Sequence, residues 1–151
     1  MNPIAIRLLN QQLVAPQFSD PAEVVSYMGA TQAQEYRMMR WAVEMRTRRP
    51  SAKAFKQAFD SGRIIRLHLM RGTWQLVAAE DYWMMIGLCA PKAIAVTKGW
   101  MSSNRISIPD EELKRVREIL ARRAADLGHF NRNTAINLLF SPSDNEIYFH
   151  L

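Results

Sequence analysis

Apolar side chains recur every three or four positions through the first sixty residues, switch to every second position, and then return to helical spacing. Ile6, Leu9 and Leu13 share one helical face until Pro16 stops the pattern, which predicts an opening helix over about residues 3 to 14 with Asn10, Gln11 and Gln12 on its polar side. Asp20-Pro21-Ala22-Glu23 offers an N-cap, a proline at the first helical position and a capping-box glutamate, so a second helix should run to Gly29. A third helix from Glu35 to Met45 should turn Tyr36, Met38, Met39, Ala42 and Val43 inward, and Arg37, Arg40 and Glu44 outward. Pro50 breaks it. Ser51 then caps a fourth helix with Ala54, Phe55, Ala58 and Phe59 inward and Lys53, Lys56 and Gln57 outward, ended by Ser61-Gly62.

Beyond Gly62 the period is two. Ile64, Ile65, Leu67 and Leu69 form one β-rich run and Trp74 to Val77 another, with Met70-Arg71-Gly72-Thr73 turning between them. The pattern predicts an α+β, mainly α fold: a winged helix-turn-helix with a β-hairpin wing plus additional helices. Residues 51–61 take the recognition-helix position and residues 63–78 the wing. A following helix over 79–91, opened by Glu80 and Asp81 and closed by Pro91, leads into a connector at 98–105 and completes a domain over 1–105. Residues 106–151 should form an amphipathic helix from Pro109 and a turn-rich tail with a last strand over 146–151, the start of a truncated second winged-helix unit. In that helix Asp110, Glu111 and Glu112 precede Lys114, Arg115, Arg117, Arg122 and Arg123, the order that the helix dipole favours. Glu118 and Asp126 are interleaved with those arginines, so they read as a solvated face.

Charge narrows the function. Between Arg37 and Arg71 ten Lys or Arg residues stand against two acids, a local +8 in a chain of net +6, so the basic character belongs to the helix–turn–helix–hairpin segment. A polyanion, double-stranded DNA first, is the partner that layout fits. Lys53, Lys56, Arg63, Arg66 and Arg71 are the candidates for its phosphates. Tryptophans 41, 74, 83 and 100 have apolar neighbours and read as core rather than base-stacking platforms. Cys89, the only cysteine, lies in an apolar run and reads as a buried structural thiol. With no intramolecular disulfide, no basic and apolar leader and no apolar run of about 20 residues, a cytoplasmic setting with no membrane is the default. His68, His129 and His150 are far apart, and no Cys pair or Gly-rich phosphate loop occurs, so no metal and no cofactor is expected.

Gln32-Ala33-Gln34 carries the candidate chemistry. Two amides one residue apart face the same way only in extended or turn-like backbone, since in a helix they diverge by roughly 200°. Glutamine is a poor base, but it accepts and donates hydrogen bonds at once and so can hold a water. That suffices when the leaving group is already activated, as a cationic alkylated purine is. For an isolated Gln-x-Gln the bland alternative, exposed or capping glutamines, stays open.

Arg7-Leu8-Leu9-Asn10-Gln11, Pro21-Ala22-Glu23-Val24-Val25, Gly29-Ala30-Thr31-Gln32-Ala33-Gln34-Glu35-Tyr36, Met70-Arg71-Gly72-Thr73-Trp74 and Val77-Ala78-Ala79-Glu80-Asp81 together resemble the bacterial tandem winged-helix DNA glycosylases, which excise alkylated purines and unhook interstrand crosslinks. The likeness extends over roughly residues 5 to 112. It implies that Gln32 and Gln34 are the catalytic pair that positions water and stabilises the sugar cation, and that Arg71 tips the hairpin approaching the lesion. Gln75 stands where the family often has histidine, which implies an altered polar contact there. Family enzymes are longer and stack several winged-helix units, so a homo-oligomer is one way for this chain to complete a cleft. Three readings stay open: a glycosylase, a non-catalytic winged-helix DNA-binding protein (regulator or inactive relative), and a module for protein contacts.

Overall fold

A computed structural model describes residues 2–127. The chain divides into two units, Met1–Trp100 and Met101–Leu151. The tail expected after Asp126, its strand over 146–151, and His129 and His150 lie outside the described residues.

Local chemistry sets the element ends in the first unit. Helix α1 spans Pro3–Asn10, capped by the Asn2 side chain. Helix α2 spans Pro21–Met28, with the Asp20 carboxylate taking the Ala22 N–H at 2.9 Å and Gly29 at φ 72° ending it. Strand β1, Thr31–Gln32, precedes α3, Tyr36–Glu44, which Glu35 caps. Ser51 caps α4, Ala52–Asp60, through the Ala54 N–H. Strands β2, Ile64–His68, and β3, Trp74–Ala78, form the hairpin, and α5 runs Tyr82–Ser103. The second unit contains α6, Asp110–Leu127, acidic in its first turn.

The sheet is antiparallel in the order β1-β3-β2, with Gln32 opposite Gln75 and Leu67 opposite Gln75 across the other edge. The core joins α2, α3 and α4 to one face of it: Val24, Val25, Ala33, Met39, Val43, Phe55, Ala58, Ile64 and Leu76 are buried together. The result is α+β and mainly α, of winged-helix-like order, as expected.

Several local expectations need correction. The hairpin is not a two-stranded ribbon, because β1 adds a third strand. Helix α1 stops at Asn10, four residues early; Gln12, expected on a polar face, is 1% exposed at φ 57°, and its Oε1 takes the Gln17 N–H at 2.8 Å. Glu44 is buried rather than outward, beside Arg40 Nε at 3.4 Å, whereas Tyr36 and Met38 are exposed. Pro91 does not close a helix over 79–91: residues 79–81 form a short 3-10 turn, and α5 continues through the proline and the expected connector to Ser103. Proline removes one backbone bond and crowds the carbonyl four residues back; here that residue is Gly87, with no side chain beside it. Trp41, Trp83 and Trp100 are exposed, not core, and Cys89 is half-buried; only Trp74 packs against the core.

Candidate nucleic-acid interface

The glutamine strand is extended where it matters. Thr31 and Gln32 pair with β3, and the Ala33 N–H continues the ladder to the Trp74 carbonyl at 2.8 Å. Ala33 is buried between exposed Gln32, the last residue of β1, and exposed Gln34, at the bend that leads into α3, so both amides reach solvent. The two amides are not equivalent. Gln34 Oε1 accepts the Trp74 N–H at 3.3 Å, which leaves its NH2 free, whereas the Gln32 amide makes no hydrogen bond among the described residues. Gln75, directly opposite Gln32, is buried, and its Nε2 donates to Thr73 Oγ1 at 2.9 Å.

The hairpin tip is strained. Arg71 is exposed with φ 57° and ψ 23°, followed by Gly72 at φ 68°. A left-handed arginine costs about 1 kcal/mol that glycine does not. Thr73 Oγ1 donates to the Met70 carbonyl at 2.9 Å and the His68 ring donates from Nδ1 to the Gly72 carbonyl at 2.8 Å, closing the turn.

Of the ten cations behind the local +8, six are already engaged. Arg40 pairs with Glu44, Lys56 with Asp60, and Arg63 Nη2 with Asp20 Oδ2 at 2.5 Å. Arg46 donates to the Ala42 carbonyl and burial lowers its pKa; Arg48 donates to the Pro16 carbonyl. The hydrogen bond to Asp60, and then its charge, raise the Lys56 pKa. Arg66 donates to the Ala33 carbonyl through Nε at 3.1 Å and Nη2 at 3.0 Å, and its guanidinium lies 4.0 Å from the Trp74 ring centroid. Arg37, Arg49, Lys53 and Arg71 have no ion-pair partner among the described residues. Sequence reasoning therefore placed Lys53 and Arg71 on open surface, but mistook Arg66 for one of the same kind. The signal was present: Arg66 alternates with core-facing Ile64, so it shares the core side of β2.

Among the described residues, two grooves of the first unit lie away from the glutamines. One is lined by Asp20, Pro21, Gln57 and Arg63; the other lies between α3 and α4, lined by Tyr36, Arg37, Arg40, Phe55, Lys56 and Phe59. Among the described residues no cluster of His, Cys, Asp and Glu could hold a metal, and no helix is long and apolar enough to cross a membrane.

A capped helix pair, a cation-tipped hairpin and a short strand leading to an exposed amide pair make up a small α+β module of winged-helix-like order. Residues 25–137 match the DNA glycosylase AlkZ-like family, and the chain belongs to it. Among solved structures, the Streptomyces sahachiroi DNA glycosylase AlkZ is similar at a TM-score of 0.61 and 17% identity, over 88% of this chain and 42% of that one. The chain thus spans less than half the length of that enzyme, and at this identity the likeness speaks for the fold. Comparison with curated proteins gives no match.

Proposed function

We propose that the protein binds duplex DNA and hydrolyses the N-glycosidic bond of alkylated purines, with Gln32 and Gln34 as the water-handling pair. The observation that carries this is the unequal pair of exposed amides. Gln34, with one lone pair of its oxygen engaged by the Trp74 N–H, keeps its NH2 free to donate to a lone pair of the water. Gln32 is free to accept a water proton through Oε1, which leaves the second lone pair for C1′. The C1′–N9 bond breaks with its electron pair going to the purine, whose alkyl-derived positive charge is thereby cancelled. Water adds to the resulting sugar cation, and its surplus proton passes to solvent. No acid is needed for the leaving group, which is why two weak groups suffice, and the Gln32 carbonyl dipole favours positive charge on the sugar.

Arg71 and Lys53, unpaired and exposed, are the phosphate contacts that position without specifying. Lys56 and Arg63 reach phosphates only by exchanging Asp60 and Asp20. Gln75 acts indirectly, by holding Thr73 under the hairpin turn.

A second reading has its own support: both glutamines are exposed and line neither of the two grooves described above, as suits a DNA-binding protein without catalysis. Base release from duplex DNA containing N7-methylguanine separates the two. The glycosylase reading expects release that falls about 100-fold or more when Gln32 and Gln34 are both changed to alanine with folding intact. Tight, salt-dependent binding without release by the unaltered protein would leave the non-catalytic reading. In either case Lys53→Ala should lower the slope of log affinity against log salt by about 0.9.

A further inference from the structure

The geometry points to Arg66 as the positioning residue of the glutamine strand, an assignment resting on Gln32 and Gln34 as the pair that handles water. Arg66 is half-buried on the core side of β2, an expensive place for a cation unless it is well bonded. It is. Nε and Nη2 both donate to the Ala33 carbonyl, at 3.1 and 3.0 Å, and Nη2 reaches the Gln34 carbonyl at 3.4 Å. The guanidinium lies 4.0 Å from the Trp74 ring centroid and 5.4 Å from that of Tyr36. His68 packs on Trp74, ring centroids 3.8 Å apart, and also bonds the Gly72 carbonyl.

Gln34 is therefore fixed from two directions that meet at one residue. Its backbone carbonyl is held by Arg66, and its side-chain oxygen by the N–H of Trp74, the residue whose ring the guanidinium covers. Without Arg66 the Ala33 carbonyl loses both donors where β1 passes into α3, and the peptide that aims Gln34 is free to rotate. Moving Arg66 to a phosphate would break its charge-assisted bonds and uncover Trp74, so it serves the strand and not the DNA backbone. Lysine cannot replace it: one ammonium neither spans two carbonyls nor lies flat on a ring.

Arg66→Lys tests the assignment with two readouts. The expected result is unchanged DNA affinity and salt slope, a single-turnover rate of base release about 10- to 100-fold lower, and partial rescue by ethylguanidinium in Arg66→Ala. Hydrogen exchange of the Trp74 amide should accelerate about tenfold or more while the Val77 amide is unaffected. A salt slope reduced by about one in Arg66→Ala, which loses the charge that lysine keeps, would make Arg66 a phosphate contact and overturn the assignment. So would an unchanged rate or an unchanged Trp74 amide. If the unaltered protein releases no base, the glycosylase reading fails, yet the exchange measurement still decides whether Arg66 holds the strand. Should Arg66→Lys not fold, Tyr36→Leu, which removes one ring from the guanidinium, should shift both readouts in the same direction by less, and no shift overturns the assignment.

Discussion

In the stretch from Phe18 to Ala78 apolar side chains that share a face find one another: Val24, Val25, Val43, Leu76 and Val77 are fully buried, and Phe18, Phe59 and Trp74 close the margins of the core. Helices α1 and α5 carry apolar residues just as densely, yet none of theirs is buried, and Trp83 and Leu88 are 78% and 71% exposed. The difference teaches that periodicity reports which side chains could be covered, while cover itself is supplied by partners that a local pattern does not contain. It also separates two energetic regimes. In the first region each group removed leaves a void or an orphaned bond; in the second it leaves water where water already was.

The largest expected effect follows directly. Leu76→Ala empties a site with 0% exposure at the centre of β3 and should cost about 2–5 kcal/mol in urea unfolding, whereas Leu88→Ala should stay within about 0.5 kcal/mol. Comparable losses at both positions would erase the contrast.

How much of this was legible follows the same line. Asp20, Ser51, Gly29 and the Met70-Arg71-Gly72-Thr73 turn were readable because caps and turns are chemistry within a few residues. The alternation of Ile64, Ile65 and Leu67 made the hairpin readable too. Gln12 and Glu44 were misplaced because the cover that buries them is not written in the local period, and Arg66 because its bonding partner is remote, although its place on the core side of β2 was readable. Arg66 bonds a carbonyl 33 residues away, and the Gln12 amide closes a loop that holds two residues at positive φ. The glutamine pair was visible as a motif, but its asymmetry was not, since that depends on the Trp74 N–H across the sheet. Pro91 misled in the opposite sense: its penalty is real, but a helix can absorb it.

Pro91→Ala sharpens the comparison from the α5 side. Alanine restores the bond to the Gly87 carbonyl and removes the ring from the preceding turn, so stability should rise, by up to about 3 kcal/mol, in the same urea titration. A loss instead would mean that the proline shapes a surface that must fit something, and α5 would join the first region.

Arg71→Gly addresses strain within the well-packed region. Glycine accepts φ 57° freely, so the variant should gain about 1 kcal/mol of stability, while the salt slope of DNA binding falls by about 0.9 as one cation is lost. Stability and binding moving in opposite directions would mark the tip as strained for contact. A variant that is no more stable would show that Arg71 meets its backbone demand without cost.

The smallest effect is expected at Trp83, and it tests the second region hardest. Its close aromatic neighbour is Tyr82, edge-on with ring centroids 5.0 Å apart, and an exposed pair of that kind contributes at most about 1 kcal/mol. Trp83→Ser should therefore cost less than that. The measurement belongs at two protein concentrations, because cover supplied by a second copy of the chain would make the loss larger where the protein is concentrated. A cost above about 2 kcal/mol at both concentrations would instead place the cover within the same chain, and the apolar surface of α5 would have to be counted with the core.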